Sequence, residues 1–126
     1  MSRPLMTVRP ISDAEALVVE RALSVAATDP SASDLLVQVR SLQIVSRCGC
    51  GCASVDFRVP ARGQIASIVA DAIAEATDGE RIGLIVWALE NELSGLEVYS
   101  YSDRPAPLPV VTSICGYDGT GSADAA

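Results

Sequence analysis

Three cysteines alternate with glycines in Cys48-Gly49-Cys50-Gly51-Cys52, the densest run of chemically capable side chains in the sequence. Thiolates are ligands for zinc, nucleophiles and redox partners, so the run admits three uses. It could hold zinc, with Cys115 as the fourth thiol and the glycines letting the loop coil around the ion. It could be a nucleophilic or redox centre, with Arg47 lowering one thiol's pKa. Or the cysteines could simply be small, partly buried residues where larger ones would not fit a tight turn. The spacing argues against metal. Alternate residues of an extended strand lie about 6.6 Å apart, too far for neighbouring sulfurs on an ion with ~2.3 Å bonds, and C-x-C-x-C is not the usual C-x2–4-C knuckle. No cofactor is therefore required, and zinc is the one candidate.

The residues that are missing narrow the chemistry further. The chain has no histidine, and all nine basic side chains are arginine. Ser-His and Cys-His nucleophile pairs, imidazole ligands, Schiff bases and phosphate-loop lysines are all excluded. Glycosidase-like carboxylate pairs normally work in a cleft with aromatic walls, and one Trp and one Phe supply few. A non-enzymatic protein is expected.

Charge is divided unevenly. Residues 1–62 carry seven Arg against six acids, whereas residues 63–126 carry Arg81 and Arg104 against ten. Eight of those ten fall between Asp71 and Asp103. Such a field attracts basic surfaces and repels nucleic acid. Glu90, Glu92, Glu97 and Asp103, with Tyr99 and Tyr101 as anchors, form the candidate partner-binding set. Rigid aromatic area and steering charge make a fair protein-binding patch. The same acids would equally serve as a solvated sheet face that discourages edge pairing.

The elements that must position these residues follow from local pattern. Ser12 and Glu15 form an S-x-x-E capping box, and apolar residues recur at helical spacing to Val25 before Thr28-Asp29-Pro30 stops the helix. A second, shorter helix is expected over 31–39. Leu42 to Arg47 and Ser54 to Val59 read as a hairpin (42–59) around the cysteine turn. Residues 63–78 stay open: Ile65, Ile68, Val69, Ala72, Ile73 and Ala76 match a helical stripe, while Ile68 to Thr77 would also serve as a strand. Ile82 to Leu89, apolar on both faces, predicts a central strand covered on both sides. Glu90-Asn91-Glu92 turns it into a partner strand with Leu96 and Val98 on one face and Glu97, Tyr99 and Tyr101 on the other (hairpin 82–101). Pro105, Pro107 and Pro109 break regular structure, and the Gly/Ser/Asp/Ala composition from Gly116 predicts a disordered tail.

The run Val45 to Phe57, containing Arg47-Cys48-Gly49-Cys50-Gly51-Cys52, and the GLIVWALENELSGLEVYSY segment at 83–101 resemble a group of small bacterial proteins. Those share an R-C-G-C-G-C turn and a late L-E-V-Y strand. Where they carry Pro after the third Cys this chain has Ala53, which would loosen the turn. The late hairpin is also similar in architecture to immunity proteins of bacterial toxin systems. The resemblance implies strand at 63–77. It also implies an inhibitor of a basic partner, such as a nucleic-acid-targeting toxin.

The sequence thus predicts an α+β fold: one or two N-terminal helices on an antiparallel sheet of four to five strands. A single domain is expected over 1–115, with a tail at 116–126. No apolar run reaches the roughly 18–20 residues of a membrane span, and the N-terminus lacks a secretory signal, so a cytoplasmic protein with no membrane and no direct nucleic-acid contact is expected.

Overall fold

The computed structural model describes residues 4–117. In chain order these form β1 (Pro4–Pro10), α1 (Asp13–Val25), α2 (Ala32–Leu35) running into a 3-10 turn (Leu36–Ser41), β2 (Gln43–Cys48), β3 (Val55–Asp56), β4 (Ser67–Glu75), β5 (Arg81–Leu89), β6 (Glu92–Ser100), a second 3-10 turn (Val111–Ser113) and β7 (Cys115–Gly116). The seven strands make one antiparallel sheet in the order β1-β2-β3-β6-β5-β4-β7. The α+β class is as expected, with more strands than the four to five the sequence suggested.

Helix α1 starts as its capping box dictates. Ser12 Oγ accepts from the Glu15 N–H at 3.1 Å, and Glu15 Oε1 accepts from the Ser12 N–H at 2.9 Å. The same carboxylate takes both Arg9 guanidinium nitrogens, at 2.9 and 2.8 Å, which ties the helix start to β1. Ala16, Val19, Ala22 and Leu23 then bury one stripe against the sheet.

The open question at 63–78 resolves as strand. Ala70, Ala72 and Ala74 alternate into the core, where they meet Val86, Leu84 and Ile82 of β5. Small side chains let α1 lie close over this part of the sheet. The outer edge of β4 is covered from two directions. The segment after α1 bonds its upper half (Thr28 N–H to Val69 O at 3.0 Å, Asp71 N–H to Ala26 O at 3.1 Å), and β7 pairs Ala72 and Ile73 with Gly116 and Cys115. An edge paired in this way offers no template to another chain. Gly116 therefore belongs to the sheet and not to a tail; the rest of the expected tail, from 118, lies outside the described residues.

Two other expectations are corrected. The strand after the cysteine turn shrinks to Val55–Asp56, because Phe57 and Arg58 leave the ladder and both point their N–H groups at Ser94 O. And β5 is covered on one face only. Its core residues Ile82, Leu84, Val86 and Ala88 are buried, while Ile85 and Trp87 on the other face stay half-exposed. Gly83 on that open face accommodates the Tyr99 ring, which lies where a Cβ would have to be. The β5–β6 turn is tight, with Glu90 and Asn91 both at positive φ (48° and 68°), the twist that suits two-residue hairpins. Gln38 clamps it from the 3-10 turn, donating to Asn91 O at 2.8 Å and accepting from the Leu93 N–H at 3.1 Å.

Candidate metal centre in the cysteine turn

The turn is anchored at both ends. Cys48 closes β2 and donates its N–H to Ser54 O at 3.3 Å; Ala53 donates to Ala106 O at 2.8 Å. Ser54 fastens the far end to β6, its Oγ accepting from the Val98 N–H at 2.8 Å and donating to Val98 O at 3.1 Å. Between these anchors Gly51 adopts φ +96°, a region that side chains enter only under strain. The chain therefore curls instead of extending.

Curling brings the thiols together. Cys50 Sγ lies 2.7 Å from Cys48 Sγ and 3.0 Å from Cys52 Sγ, and all three sulfurs fall within 4.8 Å of one another. The spacing argument against metal is thereby overturned, since it assumed an extended strand. Zinc–sulfur bonds of ~2.3 Å at tetrahedral angles set sulfurs about 3.8 Å apart, within the span of this cluster. Backbone donors also face the sulfurs: the Cys50 N–H reaches Cys48 Sγ and the Cys52 N–H reaches Cys50 Sγ, each at 3.4 Å. Such donors favour the charged form of a thiol. Hydrogen bonding with the Cys48 and Cys52 thiols and from the Cys52 N–H brings Cys50 down to about 7. Its hydrogen bond to Cys50 pushes Cys48 up to about 11. The lowered thiol owes its shift to neighbouring sulfurs and backbone, not to Arg47.

Cys115 does not join them. It sits in β7 opposite Ile73, five strand positions from β2, or about 24 Å at ~4.8 Å per strand. The four-thiol arrangement is corrected to three.

The partner-binding set is likewise divided. Glu97 and Tyr99 share the open sheet face, where Glu97 accepts from Trp87 Nε1–H at 3.2 Å. Tyr99 meets the exposed Tyr101 edge-on, centroids 5.7 Å apart, and its hydroxyl lies 3.2 Å from that of Tyr117. Glu90 and Glu92 stand at the opposite end of β6, and Arg58 holds Glu92 at 2.6 Å. Asp103 is exposed in the loop beyond β6. Sequence reasoning missed the anchors Ser54 and Ala106, whose roles depend on contacts with distant segments, and Asp56, which looked like the polar half of an alternating strand.

The fold and the turn thus define an antiparallel α+β domain with a three-thiol cluster at one end of its sheet. Among known proteins, no family model, curated protein or solved structure matches the chain.

Proposed function

We propose that this is a small, non-enzymatic zinc-binding protein whose ion is held by the thiolates of Cys48, Cys50 and Cys52, with a fourth position filled from outside the turn. The observation that carries the reading is the convergence of three sulfurs in a turn anchored at both ends. The backbone donors at Cys50 and Cys52 add to it by compensating thiolate charge, as outer hydrogen bonds do around metal ligands. The absence of histidine leaves thiolates as the soft ligands on offer.

Cobalt titration of the reduced protein tests this, because thiolate-to-cobalt charge transfer is visible in the near ultraviolet and zinc displaces the probe. One equivalent should bind, and Cys48→Ser, Cys50→Ser and Cys52→Ser should each weaken binding by about 100-fold or more. Cys115→Ser should bind like the parent. No stoichiometric uptake, or an equal loss on changing Cys115, rejects the three-thiolate site.

A second reading is the immunity-type inhibitor, occluding a basic partner such as a nucleic-acid-targeting toxin. Its support is the sheet face that no helix covers among the described residues, with Trp87, Glu97, Tyr99 and Tyr101 on or beside it. The dispersal of Glu90, Glu92 and Asp103 weakens the electrostatic part of that reading.

A further inference from the structure

Where β3 is only two residues long, the sheet leaves a cavity of about 290 Å³ between β2, β3 and the β5–β6 hairpin. This is near the low end of the ~300–1,000 Å³ usual for small-molecule sites. Its lining combines the Trp87 ring, the strand backbone at Gly95 and at the buried core residues Val55 and Leu96, two carboxylates, Asp56 and Glu97, and one guanidinium, Arg47. Both carboxylates are held in place. Asp56 Oδ2 accepts the Ser46 hydroxyl at 2.6 Å, and Ser46 is itself only 1% exposed; Glu97 Oε1 accepts the indole N–H of Trp87 at 3.2 Å. Glu92, Glu80, Glu20 and Glu15 each have an arginine partner, whereas Asp56 and Glu97 form no ion pair among the described residues.

A pocket with an indole and two oriented carboxylates set against a single guanidinium, Arg47, with which neither forms an ion pair among the described residues, has a definite complement. A cation with a hydrocarbon body buries its methyl or methylene groups against the Trp87 ring. Its charge then meets the Trp87 indole and the carboxylates together. An anion would face two carboxylates against one guanidinium, and a neutral molecule of the same shape would leave that excess negative charge unanswered. We propose that this cavity binds a small organic ammonium ion, primary or quaternary.

Trp87 is the single tryptophan of the chain, so its fluorescence reports directly on the cavity. Choline and its uncharged isostere 3,3-dimethylbutanol are the probes, with a zinc chelator present because Cys48 lines the same cavity. Under those conditions the outcome is independent of whether the turn binds metal. Choline should give a saturable change in emission, and the isostere should bind at least about tenfold more weakly. Glu97→Gln, at an exposed position, should weaken choline by about tenfold, as should Asp56→Asn, whereas Arg47→Gln should not weaken it. Equal binding of the isostere, a non-saturating choline response, or unchanged affinity in Glu97→Gln overturns the proposal.

Discussion

At the position of Gly83 the sheet has space for a hydrogen and nothing more. A Cβ there would overlap Cζ and the hydroxyl of Tyr99, so Gly83→Ala must displace the ring. In an ordinary strand the same change helps slightly, because glycine loses more entropy on folding than alanine does. Here the loss of Tyr99 packing and of its contact with Tyr117 should outweigh that gain, for a net cost of about 1–3 kcal/mol. Urea unfolding of Gly83→Ala measures it. The double variant Gly83→Ala/Tyr99→Ala should recover part of the loss relative to the sum of the single changes, since the clash is then gone. Strict additivity would show that the two residues do not conflict.

Among the elements, α1 is the one whose start was fully legible, since the capping box is written in four adjacent residues. What could not be seen locally is Arg9, which reaches the same carboxylate from β1. Its hydrogen bonds, followed by those from the Ser12 backbone and hydroxyl, hold Glu15 below the usual carboxylate range. A depressed acid contributes stability above its unfolded value, about 4.3, and loses it as pH falls through the lower folded value. Glu15→Gln keeps a capping side chain but not the charge, so at neutral pH it should cost about 1–2 kcal/mol. The gap between parent and variant should close progressively below about pH 4. Thermal unfolding across that range checks it; a gap that persists into strong acid would mean that lost packing, not charge, was responsible. Strand β4 was illegible for a different reason. Its apparent helical stripe runs through Ile65, which is 88% exposed, and Ile68, which is 38% exposed, while the residues that enter the core are alanines. Alanine carries little periodic signal, so burial at every second position went unseen. Strand β1 was missed because prolines at both ends masked it, although proline is tolerated on edge strands. The cysteine cluster was visible as composition. Its convergence depends on anchors at Ser54 and Ala106, which no local pattern reveals.

Across the whole molecule, arginines from both halves answer acids that sequence order alone would leave exposed. Arg40 pairs with Glu20 and Asp13, Arg58 with Glu92, and Arg104 with Glu80 and Asp78. The net charge of −7 is therefore not gathered into the continuous acidic strip that β6 and its turns seemed to offer. Glu92 is neutralised at one end, and Asp103 stands beyond the other. On the open face Glu97 of β6, Asp56 beside it and Asp71, whose Oδ1 is buried and unsatisfied among the described residues, are acids without an arginine partner. An electrostatic docking surface must use such acids and the neighbouring aromatics. A short oligoarginine peptide is a suitable probe, with backbone amide shifts followed by NMR. At low salt the perturbations should concentrate on Asp71, Ile85, Glu97 and Tyr99 and fade at high salt, where the Debye length falls to about 3 Å. Glu97→Arg should weaken them strongly, whereas Glu92→Arg should change them little because Glu92 is already answered by Arg58. Shifts spread evenly over Glu90, Glu92 and Asp103 would mean that the peptide senses only net charge. In that case the inhibitor reading would lose the face on which it depends.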